Sequence, residues 1–328
     1  MRSFLYEFLK LSIIITLINR VLVLETMLNE FYFRNNELII KSEWENKILA
    51  IKSSVREDLQ DKEKAKKMLD DEITRAVNDR LPDEKLGILF SGGIDSSLIA
   101  LLAKKSGKEF ICYTLGFKDE DTKEPEDVDV ARRVAKELGL PVKVRVINVK
   151  EAEELIKKTV TILGPKLNNV VNVGVGGVVL GCIEMAKKDG VKHLFSGLGS
   201  EEIFAGYHRH RMAEDRQEEC WQGLLNMYER DLLRDSAIAT ATSTTLLTPF
   251  LDEKVIATAM RIPANLKMNK EHSKLILRDV AESLGLPKTV AWRGKRAAQY
   301  GSRLDKAISK IARQKGFKLK KDYLSSLS

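Results

Sequence analysis

The stretch 86–97 reads Leu-Gly-Ile-Leu-Phe-Ser-Gly-Gly-Ile-Asp-Ser-Ser and is followed at once by the apolar stretch 98–103. An apolar run, a glycine turn and a second apolar run predict a buried strand that turns directly into a helix. At such a junction, free backbone N–H groups and the positive end of the helix dipole converge on one spot. The sequence therefore predicts a phosphate-binding loop at residues 91–97.

The residue types in this loop support a phosphate ligand. Gly92 and Gly93 can adopt positive φ and let a ligand approach the backbone, while Ser91, Ser96 and Ser97 add hydroxyl donors. The Gly-x-x-x-x-Gly-Lys-Ser/Thr string of ordinary P-loop NTPases occurs nowhere in the chain. The alternative is a serine-glycine turn without a ligand, which the match in the required strand-to-helix context disfavours.

Acidic residues follow two strand-like runs. Asp95 lies inside the loop, where a carboxylate repels a phosphate unless a cation lies between them, and Mg²⁺ is the cation implied. Residues 196–207 read Ser-Gly-Leu-Gly-Ser-Glu-Glu-Ile-Phe-Ala-Gly-Tyr and again place small residues before acidic ones. A carboxylate from this second segment would complete the Mg²⁺ shell with Asp95, and the Ser196-Gly197 backbone would contact a nucleotide. The alternative is a plain helix cap at Ser200.

Strand and helix patterns alternate along the chain. Strands are expected at residues 86–90, Phe110–Phe117, 142–149 and His193–Phe195, and a hairpin around Asn35-Asn36 with arms at 31–40 and 47–51. Helices are expected at 57–80, 127–138, 150–163 and, as a buried glycine-rich helix too short to span a bilayer, at 170–183. From residue 213 onward the pattern is helical without a convincing strand.

This alternation predicts an α/β fold with a doubly wound parallel sheet that binds ligands at the carboxyl ends of its strands. We expect an N-terminal extension with a short hairpin at 1–64, an α/β core at 65–212 and a C-terminal helical portion at 213–328.

Composition indicates a globular chain of 328 residues with 44% hydrophobic residues and a formal net charge of +8. Part of the basic excess is local, because residues 303–321 carry eight basic side chains against Asp305 alone. An RNA partner and a rim for a phosphate-bearing substrate both fit this segment, but a solvated helix face is the commonest explanation and RNA is not favoured.

The three cysteines, Cys112, Cys182 and Cys220, are far apart and form no Cys-x-x-Cys pair. This spacing argues against a structural zinc site and a disulfide framework, so we expect a reducing cytoplasm. Residues 1–26 contain apolar runs that Asn19 and Arg20 interrupt, so neither a transmembrane helix nor a signal peptide is expected. No membrane partner is predicted, and residues 1–26 are interpreted either as preceding a start at Met27 or as an amphipathic N-terminal helix.

Taken together, the motifs resemble the C-terminal synthetase domain of the asparagine synthetase family. The matching strings lie at 91–97, 196–207, 232–235 (Leu-Leu-Arg-Asp), 249–252 (Pro-Phe-Leu-Asp), 262–267 (Ile-Pro-Ala-Asn-Leu-Lys) and 295–302 (Lys-Arg-Ala-Ala-Gln-Tyr-Gly-Ser). The resemblance covers residues 65–310 in order as well as content. It implies the adenine nucleotide alpha hydrolase-like fold of PP-loop ATP pyrophosphatases.

The resemblance also implies roles for individual residues. The ATP site would consist of Leu89, Ser91, Gly92, Gly93, Asp95, Ser96, Ser97, Leu115, Ser196 and Gly197. Asp95 and Glu201 would face Mg²⁺-pyrophosphate, and Lys295 would be the catalytic lysine, where a fixed cation near the α-phosphate stabilises charge that develops in the transition state. The alternative for Lys295 is a surface lysine in a basic segment.

Several positions depart from the family pattern. Leu198 replaces the acid of Ser-Gly-Glu-Gly, Glu201 replaces an aspartate, Asn168-Asn169 stands where threonines are usual, and 244–248 replaces the segment with the family's arginine. Arg2 stands where glutamine-dependent members carry a nucleophilic cysteine, so we expect no glutamine hydrolysis by that route. The strings at 295–303 (Lys-Arg-Ala-Ala-Gln-Tyr-Gly-Ser-Arg) and 206–211 (Gly-Tyr-His-Arg-His-Arg) resemble the divergent asparagine synthetase domain-containing proteins more closely than the biosynthetic enzymes.

The leading hypothesis is an ATP-dependent carbon-nitrogen ligase that adenylates a carboxylate, aspartate by family default, releases pyrophosphate and transfers the acyl group to ammonia. Ammonia would come from solution or from a separate glutaminase subunit. The alternatives are a PP-loop enzyme that modifies RNA and a nucleotide-binding regulatory protein that has lost the acceptor chemistry.

Overall fold

The computed structural model describes residues 30–34, 37–120, 124–294 and 298–327. Near the N-terminus, strands β1 (Phe33–Arg34) and β2 (Glu37–Leu38) pair antiparallel, as expected for the hairpin, whose predicted turn at 35–36 lies outside the described residues. The expected second arm at 47–51 is wrong, because these residues lie in helix α1 (Lys41–Ser54). Its buried face has helical spacing, which a short apolar run does not distinguish from a strand.

The centre of the fold is a five-stranded sheet, and every neighbouring pair of its strands is parallel. Its strands are β3 (Leu86–Leu89), β4 (Phe110–Phe117), β5 (Val142–Ile147), β6 (His193–Phe195) and β7 (Thr245–Leu247). Their order across the sheet is β5-β4-β3-β6-β7. The predicted doubly wound parallel sheet is therefore confirmed.

Strand β7 corrects the expectation that the chain beyond residue 213 contains no strand. Thr245–Leu247 pairs in parallel with β6, with Phe195 opposite Leu247. Leu246 and Leu247 are buried. Three residues are too few to show the alternation of a strand, so only the pairing with β6 reveals this edge.

Helices connect the strands and cover both faces of the sheet. They are α2 (Lys62–Asn78), α3 (Ile94–Lys105), α4 (Glu126–Leu138), α5 (Val149–Leu167) and α6 (Val170–Lys188). Each overlaps a helix expected from the sequence, apart from shifts at its ends. Gly139 ends α4 in the left-handed conformation, and Gly164, at φ +64°, bends α5 before Pro165.

The remaining chain is mostly helical, as expected. It forms α7 (Ser200–Ile203), α8 (His208–Met212), α9 (Arg216–Met227), a π-helical turn (Tyr228–Leu232), α10 (Leu233–Thr242), a 3₁₀ turn (Pro249–Leu251), α11 (Glu253–Met260), α12 (Ala264–Lys267), α13 (Leu275–Ser283), α14 (Lys288–Ala291), α15 (Ala298–Gly301), α16 (Leu304–Gln314) and α17 (Lys320–Ser325).

Two apolar cores lie on opposite faces of the sheet. In β6, Phe195 belongs to the core under α2, α3 and α13, whereas its neighbour Leu194 belongs to the core under α5, α6 and α16. Helix α6 is 19 residues long with a mean hydropathy of 1.5 in its most apolar window, so among the described helices it alone meets the length and composition of a membrane span. Of that window, 61% is buried inside the protein. The helix is therefore a core helix. The expectation that it is too short to span a bilayer is wrong, and its burial is what supports the assignment.

Candidate active site

The two predicted loops meet where the sheet reverses its strand order. From β3 the chain proceeds to β4 and β5 on one side, whereas β6 and β7 lie on the other. Ligands of open α/β sheets bind in the crevice outside the carboxyl ends of the strands at this switch point. A cavity of about 1030 Å³ opens there. Of the predicted site residues, eight line it: Leu89, Ser91, Asp95, Ser96, Leu115, Ser196, Gly197 and Glu201.

The loop after β3 is held by its own hydrogen bonds. Ser91 Oγ accepts a bond of 3.3 Å from the Gly93 N–H, and Ser96 Oγ accepts one of 3.3 Å from the Ser91 N–H. Gly92 has φ +64°, and a Cβ there would lie 2.8 Å from Val130 Cγ1, so glycine is required for two reasons. The loop is thus shaped before any ligand arrives.

Two loop residues differ from expectation. Gly93 does not use positive φ, because it is the N-cap of α3 with φ −76° and ψ 162°. Ser97 is fully buried in α3 and does not line the cavity, and its hydroxyl has no hydrogen-bond partner among the described residues. The first turn of α3 directs Ser96, but not Ser97, toward the ligand side.

One wall of the cavity is apolar. Leu89 of β3 and Leu115 of β4 line it together with Val179 and Cys182 of α6. A Cβ at Gly181 would lie 2.7 Å from Leu115 Cδ2, so glycine lets α6 approach the sheet closely here. The glycine-rich segment expected as a buried helix therefore also shapes the cavity.

Lys274, which the sequence did not single out, joins the two predicted carboxylates. Its Nζ lies 2.8 and 2.9 Å from the two carboxylate oxygens of Asp95 and 3.0 Å from Glu201 Oε1. It also donates to Ser200 Oγ at 3.0 Å. Lys274 is 3% exposed. In sequence it precedes an apolar helical stripe without any signal of burial, so it was indistinguishable from a surface lysine.

Proteins usually bind nucleotide-associated Mg²⁺ through one or two carboxylates, and the phosphates and water provide the other ligands. Asp95 and Glu201 are two such carboxylates close to one point. Within the described ranges, no group of three or more His, Cys, Asp or Glu residues is placed to hold a metal. Lys295, the predicted catalytic lysine, lies outside the described residues.

A second wall of the cavity is a chain of ion pairs in which every side chain except Arg230 is buried. Arg230 pairs with Glu202 and with Asp231, and Arg234 pairs with Asp231 at 3.0 Å and Asp235 at 2.7 Å. The π-helical turn supplies Arg230 and Asp231, and such turns are frequent at functional sites. All five side chains line the cavity. Among the matching strings, 196–207 contains Glu202 and 232–235 contains Arg234 and Asp235, whereas Arg230 and Asp231 lie in neither.

Two residues that line the cavity near this wall, Leu198 and Glu202, differ in whether they provide a carboxyl group. Leu198, for which the resemblance implied an acid, lines the cavity, and its N–H donates to Ser196 Oγ at 3.3 Å. Glu202 lies four residues further along the chain, in α7, and is 1% exposed. Burial and the neighbouring Asp231 raise the pKa of Glu202 to about 7. The cavity thus carries a carboxyl group, but from α7 and not from residue 198.

A parallel sheet with two glycine-containing loops at its switch point is typical of α/β proteins that bind phosphate-bearing ligands. The family model "Asparagine synthase" matches residues 68–222 and 213–322. The chain therefore belongs to the asparagine synthase family.

Three relatives illustrate the match. The chain is 35% identical over 298 residues to a protein provisionally named glutamine-hydrolysing asparagine synthetase 1 in Methanocaldococcus jannaschii, covering 79% of this chain and 53% of that protein. It is 31% identical to glutamine-hydrolysing asparagine synthetase of Gallus gallus (69% and 41% covered) and 28% identical to asparagine synthetase B of Escherichia coli (74% and 45%). The chain spans about half the length of the curated relatives that it matches.

Among solved structures, NMN synthetase from Francisella tularensis is similar with a TM-score of 0.38 and 11% identity, over 81% of this chain and 93% of that chain. A TM-score of this size carries no information about the site.

Proposed function

We propose that this chain is the ATP-using part of a carbon-nitrogen ligase, which adenylates a carboxylate and transfers the acyl group to ammonia. One observation carries the proposal: the loops 91–97 and 196–201 meet with the buried ammonium of Lys274 on one cavity at the switch point of the sheet. Membership of the asparagine synthase family supports ATP as the nucleotide.

The cavity walls suggest how ATP would lie. The apolar wall with Leu89 and Leu115 suits an adenine ring, because its side chains offer van der Waals contact without competing charge. The N-terminus of α3 suits the phosphates, since its first N–H groups have no partner within the helix. Ser196 and Gly197 would then border the nucleotide from β6.

In the proposed reaction, an oxygen of the substrate carboxylate attacks the α-phosphorus of ATP, the bond to the bridging oxygen breaks, and pyrophosphate leaves. Ammonia then attacks the acyl carbon and loses a proton, and AMP leaves with the bonding electrons, which yields an amide. Lys295 would stabilise the negative charge that moves onto the bridging oxygen, a role typically worth about 3 kcal/mol in the transition state.

Asp95 and Glu201 would hold Mg²⁺, which when bound supplies positive charge to the departing pyrophosphate. Lys274 would contact the same phosphates, because its ammonium lies beside both carboxylates at the loop. Asp95 therefore acts on the ligand through cations, which removes the repulsion expected of a carboxylate in an anion-binding loop.

Aspartate is the carboxylate that family membership favours, and the ion-pair wall with Arg230 and Arg234 suits a charged substrate. Leu198 cannot accept a proton, so any acid or base at the acyl group must be another residue. The nitrogen donor would be ammonia from solution or from a separate glutaminase subunit. Three free, buried cysteines fit a reducing cytoplasm.

ATP–pyrophosphate exchange tests the proposal. We expect Mg²⁺-dependent exchange with aspartate or another carboxylate, and ammonium, not glutamine, should support amide formation by this chain. Lys295→Ala should reduce turnover about 100-fold or more while ATP affinity changes little, because the charge that it stabilises develops in the transition state. Lys318→Ala, an exposed lysine of the basic segment, is the matched control and should change neither quantity.

Other outcomes would contradict the ligase proposal in different ways. Exchange that requires RNA would indicate RNA modification, and ATP binding without exchange under any acceptor would indicate a regulatory protein. Equal effects of the Lys295 and Lys318 substitutions would remove Lys295 from the catalytic mechanism.

A further inference from the structure

The environment of Lys274 indicates more than a phosphate contact. Its ammonium lies between the two carboxylates that would hold a metal, at 2.8 and 2.9 Å from Asp95 and 3.0 Å from Glu201. The ammonium donates hydrogen bonds to both carboxylate oxygens of Asp95 and to Ser200 Oγ, and it forms an ion pair with Glu201. The side chain therefore occupies the centre of the candidate cation site.

The backbone at Lys274 is in an unfavourable conformation for this residue type. Its φ of +57° and ψ of 34° lie in the left-handed region, and it is the N-cap of α13, where the helix dipole disfavours a cation. Strain of this kind persists only where the surroundings enforce it, and it concentrates at functional sites. The two carboxylates provide the compensating interaction.

Neighbouring residues hold the cluster in place. Arg278 Nε donates to the Ser273 carbonyl at 2.7 Å, which ties α13 to the residue before Lys274. A Cβ at Gly206 would lie 1.7 Å from Glu201 Oε2 and 2.5 Å from Lys274 Cε, so the backbone there closes directly over the ion pair. Both carboxylate oxygens of Asp95 and Oε1 of Glu201 contact the ammonium, so a metal ion would compete with Lys274 for these atoms.

We propose that Lys274 is an internal counter-ion that keeps divalent cations off Asp95 and Glu201 until a nucleotide arrives. The inference rests on the proposed function for the identity of the nucleotide. When polyphosphate enters the loop, its oxygens accept the ammonium, and the two carboxylates become available to the metal that the nucleotide carries. Metal and nucleotide then bind together and not in sequence.

Metal binding without nucleotide tests this inference. Mn²⁺ alone, titrated into the purified chain and followed by electron paramagnetic resonance, should bind wild type weakly, with no saturation at millimolar concentration. Lys274→Met keeps the length of the side chain but removes its charge, so it should bind Mn²⁺ at least tenfold more tightly. Mn²⁺ should also raise the melting temperature of Lys274→Met, but not of wild type, relative to chelator.

Lys267 provides a matched control. It is fully buried, and its Nζ contacts Gln217 Oε1 at 3.0 Å and Met260 Sδ, with no carboxylate in those contacts. Lys267→Met should therefore leave Mn²⁺ binding as weak as in wild type. If Lys274→Met does not fold, Lys274→Gln is the second variant, and the wild-type titration is decisive by itself.

Tight Mn²⁺ binding by wild type without nucleotide, or no gain of metal affinity on removal of the Lys274 charge, would overturn the inference. A gain in both Lys274 and Lys267 variants would indicate general loosening and would also overturn it. These measurements contain no ATP, so failure of ATP–pyrophosphate exchange would refute the proposed function without altering their result.

Discussion

Gly92→Ala tests whether the phosphate loop depends on backbone geometry at one residue. Gly92 has φ +64°, and a Cβ there would lie 2.8 Å from Val130 Cγ1 and 3.2 Å from the Val130 carbonyl carbon and oxygen. A left-handed alanine costs about 1 kcal/mol, and forcing a methyl group into a packed contact costs roughly 1–3 kcal/mol. We expect a loss of unfolding free energy of about 2–4 kcal/mol.

Gly107→Ala separates the two contributions. Gly107 follows the other end of the same helix, α3, and has φ +74°, but a Cβ there would meet nothing within 4 Å. It should lose only the conformational cost of about 1 kcal/mol. Urea unfolding measures both variants, and calorimetry should show weaker ATP binding for Gly92→Ala alone.

Val130→Ala completes the design as a double-mutant cycle. Removing Val130 Cγ1 relieves the closest contact, so Gly92→Ala should cost less in the Val130→Ala background by roughly 1 kcal/mol. The 3.2 Å contacts with the backbone remain, so relief should be partial. Equal losses for Gly92→Ala and Gly107→Ala, or strictly additive losses in the cycle, would refute the packing argument.

Two further predictions concern buried charge. Burial and the nearby Arg209 lower the pKa of His210 from 6.5 to about 4. The folded protein therefore has a stability contribution from neutral His210 that is complete above pH 6.5 and is lost as the pH falls toward 4, by up to about 3 kcal/mol. Urea titrations at pH 7.5 and 4.5 should show a smaller pH dependence for His210→Gln than for wild type. Arg234→Met leaves Asp231 and Asp235 buried without the cation that they share and should lower the free energy of unfolding by about 3–5 kcal/mol. Arg261→Ala removes an ion pair at the surface and should have little effect. Similar melting temperatures for the two variants would contradict this expectation.

Local patterns predicted the parts of the fold that local interactions determine. Strands β4 and β6 begin and end where their apolar runs do, and α4 ends at Gly139, which adopts the left-handed conformation typical of a C-cap. The parallel sheet with ligand loops at the carboxyl ends of its strands also followed from sequence, because strands and helices alternate, whereas the strand order did not.

The errors have a common physical origin in tertiary contacts. Residues 245–247 form a strand because β6 offers an unpaired edge, and residues 47–51 are helical because one face of α1 packs into the core. Gly93 serves as an N-cap in extended conformation, so its glycine identity did not signal positive φ. In the first two cases the residue types allow two conformations and a distant partner selects one, whereas at Gly93 the helix that follows it does so.

The candidate site shows the same division between local and distant causes. A carboxylate in a phosphate loop, such as Asp95, requires a nearby cation, and the sequence suggested only a metal ion. The structure adds a second cation, Lys274, which lies 179 positions further along the chain. Asp95→Asn would therefore remove a carboxylate from the metal and from a buried ammonium at once, and its loss of nucleotide binding would not distinguish the two. Lys274→Met removes the ammonium and keeps both carboxylates, so the comparison of the two variants separates metal binding from internal charge compensation.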